Sequence, residues 1–111
     1  MTIQAIGRDE LRLLIEEKGK IRLFEVLPKM QWEAGHIPGA AVMPLEKIAE
    51  TAARLAPNKA DDVVVYCASQ ACKNSHIAAS KLAELGYQSV RVFEGGKAEW
   101  KDAGLSLEVA Q

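Results

Sequence analysis

Cys67 and Cys72 are the side chains of this sequence best suited to covalent chemistry, and both lie in one short segment, Cys67-Ala68-Ser69-Gln70-Ala71-Cys72-Lys73. The thiolate, not the thiol, is the nucleophile, so the surroundings of each sulfur decide what it can do. Cys67 directly follows Val63-Val64-Val65-Tyr66, a β-prone run that reads as a fully buried strand. After the segment, Asn74-Ser75 leads into the helical run Ile77-Ala78-Ala79-Ser80-Lys81-Leu82-Ala83-Glu84-Leu85. A thiol is thus expected where a strand ends, a tight loop begins and a helix follows. In open α/β sheets, ligands bind outside the carboxyl ends of the strands. N–H groups of such a loop and of the helix start can converge on an anion. The same field favours thiolate, bringing a cysteine from its usual pKa of ~8.5 into the range of roughly 3.5–7.5. The expectation is a reactive Cys67 in an anion cradle formed by Ala68, Ser69, Gln70, Ala71, Cys72 and Lys73. Most buried cysteines are inert, so the rest of the chain must support that reading.

The elements that would position the thiol alternate in type. Thr2–Ile6 reads as a short edge strand. Leu11, Leu14 and Ile15 recur at helical spacing, with Asp9 and Glu10 in the first turn and Gly19 as the stop. Ile21–Leu27 reads as a second strand ended by Pro28, and Gln31–Ala34 as one helical turn ended by Gly35. His36-Ile37-Pro38-Gly39 is turn chemistry. A short strand at Ala40–Met43, a helix over Leu45–Leu55 and the strand Asp62–Tyr66 follow. The helix after Cys67 ends at Gly86, Ser89–Phe93 is the last strand, and Gly95-Gly96 opens a short helix that Gly104 closes. This alternation predicts an α/β fold, a parallel sheet with helices on both faces. One domain over residues 1–111 is expected at this length.

Composition excludes several classes of function. Fourteen Lys and Arg against fifteen Asp and Glu give a net charge of −1, so no basic excess exists to neutralise nucleic-acid phosphates. No apolar stretch is long enough to span a bilayer, and the N-terminus lacks the pattern of a secretory signal. Two cysteines do not make a disulfide framework, and a reducing cytoplasm is the expected compartment.

Several pieces together resemble the rhodanese family. They are Leu23-Phe24-Glu25-Val26, Glu33-Ala34-Gly35-His36-Ile37-Pro38-Gly39-Ala40, Val63-Val64-Val65-Tyr66-Cys67 and Ala78-Ala79-Ser80-Lys81-Leu82. Leu85-Gly86-Tyr87, Gly95-Gly96, Trp100 and Ala103-Gly104-Leu105 continue the pattern in the family's order along nearly the whole chain. The resemblance implies a three-layer sandwich and sulfur transfer. A thiolate takes sulfane sulfur from a donor such as thiosulfate, holds it as a persulfide, and passes it to a thiophilic acceptor. Carried over, Cys67 is the nucleophile and Ala68–Lys73 form the cradle. No cofactor is implied. The partners implied are small sulfur-containing anions or a sulfur-carrier protein.

The sequence departs from the family in its loop. The loop is about two residues longer than usual, holds no glycine, and has Lys73 as its only cation. Lysine is a point charge and cannot grip an oxyanion in the bidentate manner of arginine. Phosphatases and arsenate reductases with this fold use a Cys-x5-Arg loop; Cys67 to Lys73 has that length but lacks the arginine on which phosphoryl transfer leans. Glu25 stands where Asp is common, and Leu27-Pro28 replaces a frequent arginine. Two classes therefore remain open, an enzyme or sulfur carrier working through a Cys67 persulfide and a binding module that does not turn over, with thiol redox sensing by Cys67 and Cys72 as a third reading.

Cys72 has two readings, a resolving thiol for Cys67 or a small residue packed under the loop. His76 is expected to be solvated, with polarisation of Cys67 the lesser alternative. A zinc site from Cys67, Cys72, His76 and His36 lacks the paired Cys-x2-Cys spacing of such centres, and no metal is expected. His36 is read as a turn residue bonded to backbone, and Trp32 and Trp100 as core or partly buried anchors, with a partner-binding rim the lesser alternative for Trp100.

Overall fold

The computed structural model describes residues 3–109. Its chain order is β1 (Ile3–Ala5), α1 (Arg8–Glu16), β2 (Arg22–Glu25), α2 (Lys29–Ala34), β3 (Ala41–Val42), α3 (Ile48–Leu55), β4 (Asp62–Tyr66), α4 (Asn74–Glu84), β5 (Ser89–Phe93) and α5 (Gly96–Asp102). A 3-10 turn over Leu45–Lys47, entered from Pro44, precedes α3, so the expected helix at 45–55 divides in two. The first strand is shorter than expected, and Thr2 falls outside the described residues.

The five strands form one sheet in the order β1-β5-β4-β2-β3, and every pair is parallel. β4 is central, and its pleat explains both cores. Val63 and Val65 face one side, where they pack with Ile48, Ala52, Ala78, Ala79 and Leu82 from α3 and α4. Val64 and Tyr66 face the other, with Leu11 of α1 and Trp100 of α5. A strand buried on both faces must be apolar throughout, which is why the run does not alternate with polar residues. Each fully buried valine contributes roughly 1.5–3 kcal/mol relative to exposure. Ala78 and Ala79 let α4 approach the sheet closely, while Ile77 on its outer face is exposed. Among the described residues no helix is long and apolar enough to cross a membrane.

The strand order reverses between β2 and β4, because the chain leaves β2 for the edge strand β3 and then returns across β2. Crevices form at such reversals beyond the strands' carboxyl ends. There the β2–β4 pairing runs one step further, with Val26 N–H donating to Tyr66 C=O at 2.8 Å. Cys67 is the next residue.

Candidate active site

The loop from Cys67 to Lys73 is fastened at both ends. At its start, N–H groups of Lys97 and Ala98 donate to the carbonyls of Cys67 and Ala68, each at 3.0 Å. At its end, Asn74 Nδ2 donates to Val26 C=O at 3.2 Å, tying the first residue of α4 to the strand beside the crevice. Within the loop, Cys72 N–H donates to Ser69 C=O at 3.1 Å and closes a turn. Gly96 makes the first fastening possible. Its φ is +61°, and a Cβ there would lie 2.3 Å from the Cys67 carbonyl oxygen and 2.9 Å from Ser69 N. Only glycine tolerates both that conformation and that approach.

Cys67 is buried, 1% exposed, and both cysteines are free thiols. Its Sγ lies 3.4 Å from the Cys72 carbonyl, to which it donates, and 3.5 Å from the Ser75 hydroxyl. The thiols of Cys67 and Cys72 also act on each other's titration. Burial pushes the Cys67 thiol up, the Cys72 thiol adds to this, and the hydroxyl and N–H of Ser75 pull the other way without prevailing. This corrects the sequence-based expectation of a depressed Cys67, because desolvation outweighs the loop's field. Burial acts on Cys72 in the same direction, but hydrogen bonds from the Cys67 thiol and from the N–H groups of Asn74 and Ala68 overcome it and leave Cys72 lowered.

Around the pair, Ser69 and Cys72 are half-buried, whereas Ala68, Gln70, Ala71 and Lys73 are exposed. The loop's outer side borders a groove of about 470 Å³ shared with Arg8, Gly95 and Glu99. That places an arginine beside Ser69–Ala71 which the sequence gave no reason to expect, but Arg8 is engaged by Asp9 at 3.3 Å and Glu99 at 3.9 Å.

A second buried polar cluster lies one residue back in the strand. Tyr66 OH donates to Glu25 Oε1 at 2.8 Å and accepts from Ile37 N–H at 3.0 Å. Glu25 is fully buried, and its Oε2 lies 3.1 Å from Lys97 Nζ. That contact is ionic and lacks the direction of a hydrogen bond, since Oε2 has no well-aligned donor. Lys97 instead aims its protons at the carbonyls of Gly35 at 2.7 Å and Gln31 at 3.0 Å. Burial, then the charge of Glu25, holds the Tyr66 hydroxyl far above its ordinary range, so it stays a donor. Lys97, Ser75 and Gly96 are thus site-building residues that sequence reasoning missed. The Gly95-Gly96 pair was a signal for Gly96; nothing in the sequence pairs Lys97 with Glu25 across 72 positions.

The remaining candidates fall away from the sulfurs. His76 is half-buried beside Glu94, 3.7 Å from it. His36 stacks on Trp32 with ring centroids 4.2 Å apart and donates from Nδ1 to Trp32 C=O at 2.8 Å, the expected bond to backbone, but it lies in an antiparallel bridge to Glu108 and the turn follows at Pro38-Gly39. Among the described residues no group of three or more His, Cys, Asp or Glu is arranged to hold a metal ion. Trp100 is buried at 3% and packs edge-on against Phe93, so it anchors the core and forms no rim.

The fold and this strand-end loop define a class. Residues 7–103 match the Rhodanese-like domain, and the chain belongs to that family. It is 35% identical over 104 residues to an HTH-type transcriptional regulator of Mycobacterium tuberculosis, covering 94% of this chain and 44% of that protein. It is 30% identical over 95 residues to an adenylyltransferase and sulfurtransferase of Candida albicans, covering 80% of this chain and 21% of that one. The chain thus spans less than half the length of these curated relatives. Among solved structures, a thiosulfate sulfurtransferase from Pseudomonas aeruginosa shares the fold, with a TM-score of 0.87 at 24% identity over 98% of this chain and 21% of that one. A rhodanese from E. coli, solved with anions, has a TM-score of 0.66 at 30% identity over 80% of this chain and 98% of that one.

Proposed function

We propose that this chain is a sulfurtransferase that carries sulfane sulfur on Cys67. The observation that carries the reading is the seat of Cys67 Sγ: at the end of the central strand, where strand order reverses, held by Ser75 and Cys72 inside a fastened loop. With a thiosulfate-like donor, the Cys67 thiolate attacks the outer sulfur, the S–S bond of the donor breaks, and sulfite leaves with the bonding electron pair. The persulfide so formed then passes its terminal sulfur to a thiophilic acceptor, a small thiol or a sulfur-carrier protein. Loop amides and Lys73 favour the anionic donor and the charged persulfide by electrostatic stabilisation in a partly desolvated crevice. Because burial raises Cys67, the attacking thiolate forms on the alkaline side of an ordinary cysteine, and uptake is expected to quicken as pH rises.

Intact-mass spectrometry after incubation with thiosulfate or a persulfide donor tests this, using wild type and Cys67→Ser. One sulfur atom gained by wild type and not by the variant supports it. A Cys67→Ser protein that keeps full transfer activity places the reaction elsewhere. One observation favours a second reading, a regulatory module without turnover: the similarity to a transcriptional regulator extends over 94% of this chain. A Cys67 that takes up no sulfur from either donor would select it.

A further inference from the structure

The persulfide on Cys67 has an unusual first neighbour. Cys67 is 1% exposed, so an outside acceptor must reach a sulfur that the loop encloses. Cys72 already touches it: its carbonyl lies 3.4 Å from Cys67 Sγ, and each thiol shifts the titration of the other. The turn closed by Cys72 N–H and Ser69 C=O folds the loop back so that Cys72 lies against the Cys67 sulfur. Cys72 is itself half-buried, open enough for a reductant to approach.

We propose that Cys72 discharges the Cys67 persulfide internally, giving the protein a second activity, release of sulfane sulfur as hydrosulfide. The inference rests on the persulfide reading above. The Cys72 thiolate attacks Cys67 Sγ, a Cys67–Cys72 disulfide forms, and the bond from Sγ to the terminal sulfur breaks. The terminal sulfur takes up the proton that Cys72 gives up and leaves as HS⁻ with the electron pair. The sulfane sulfur is reduced by two electrons, and the two cysteines are oxidised together. An external dithiol then restores both thiols and becomes a disulfide itself. The substrate class is therefore sulfane-sulfur donors with a dithiol as co-substrate.

Two physical arguments favour the internal route. Thiols held in contact react at effective concentrations far above those of a free acceptor. The attacking group also needs thiolate character, and Cys72 is the member of the pair whose proton is held less tightly. Ser75 remains beside Cys67 Sγ, near enough for its hydroxyl to steady the charge that develops as the bond breaks.

The test loads wild type, Cys72→Ser and Cys72→Ala with thiosulfate or an alkyl persulfide, removes excess donor, and follows intact mass and free sulfide without reductant. Wild type is expected to lose the added sulfur, end two hydrogens lighter than the starting protein, and release about one equivalent of sulfide, as the exchange stoichiometry requires. Both variants are expected to keep the added sulfur at least about tenfold longer, since exchange depends on access and on the thiolate fraction of the attacking thiol. Equal lifetimes in wild type and both variants would overturn the inference and leave the persulfide reading intact. Loss of two hydrogens without matching sulfide would also overturn it, because the disulfide would then come from another oxidant. No sulfur uptake by any of the three proteins would remove the persulfide reading and this inference with it.

Discussion

Two buried polar clusters sit on consecutive residues, the last of β4 and the first beyond it, and are held in opposite ways. Tyr66 anchors the first, a chain of contacts at 2.8 to 3.1 Å linking it with Glu25, Lys97 and Ile37 through oxygen and nitrogen, two of the groups charged. Cys67 centres the second, with contacts of 3.4 and 3.5 Å to a carbonyl and a hydroxyl. The pleat sends Tyr66 toward α1 and α5 and the thiol toward α4. Strong, charge-assisted bonds fix the foundation, while weak sulfur bonds leave the reactive group exchangeable. The reacting bond is thus placed among interactions cheap to remake, one residue from interactions that are not.

That contrast can be broken first at Gly96. Gly96→Ala is expected to cost roughly 2–5 kcal/mol, from a left-handed backbone conformation at about 1–2 and overpacking at about 1–3, and to abolish most sulfur loading by displacing the Cys67 carbonyl. Denaturant unfolding and mass spectrometry read the two effects; a stable, fully loading variant would show that the loop does not depend on α5. Next in size, Lys97→Met leaves Glu25 charged, buried and unpaired, an expected loss of about 3 kcal/mol. Adding Glu25→Gln should recover part of it, and the double-mutant cycle measures the coupling. Additive losses would mean that the pair is not the foundation described here.

The thiol cluster should respond in reactivity more than in stability. Ser75→Ala is expected to cost at most about 1 kcal/mol, the scale of one hydrogen bond. It removes a contribution that lowers Cys67, so the pH profile of Cys67 alkylation should move further to the alkaline side. Cys72→Ala removes one that raises it, so its profile should move to lower pH. Shifts of the same sign in both would contradict the assignment. The smallest effect is expected at Lys73, which is exposed. Lys73→Ala should weaken anionic donors a few-fold at most and spare neutral ones, with a difference that salt diminishes. Equal loss for both donor types would remove its charge from the account.

Much of the fold was legible because local chemistry and tertiary role coincide. Asp62–Tyr66 and Ser89–Phe93 emerged at the expected bounds, as apolar runs between turn residues must where both faces are covered. The helix after the loop begins at Asn74 and ends before Gly86, whose φ is +99°. The location of the thiol, between strand and helix, was legible for the same reason. Its protonation was not, because a loop's field shows in the sequence while the depth of burial does not. The Lys97–Glu25 pair was hidden likewise: Lys97 reads as an ordinary helix-surface lysine until β2 and α5 are brought together.

The order of the strands has a consequence for biosynthesis. Of the five described strands β1 is made before the others, yet among them it pairs with β5 alone, the last of the five. β4 likewise has β2 beside it early but gains its other neighbour, and the α5 residues that hook the Cys67 carbonyl, only after Phe93 has been added. Such non-local parallel pairing is slow to form. A nascent chain that stops short of β5 therefore presents Cys67 as an unsheltered thiol on an open sheet edge. The sulfur acquires its full enclosure only once β5 and α5 have joined the sheet, so a chain truncated before β5 is a chemically different thiol and not a weaker copy of the finished one.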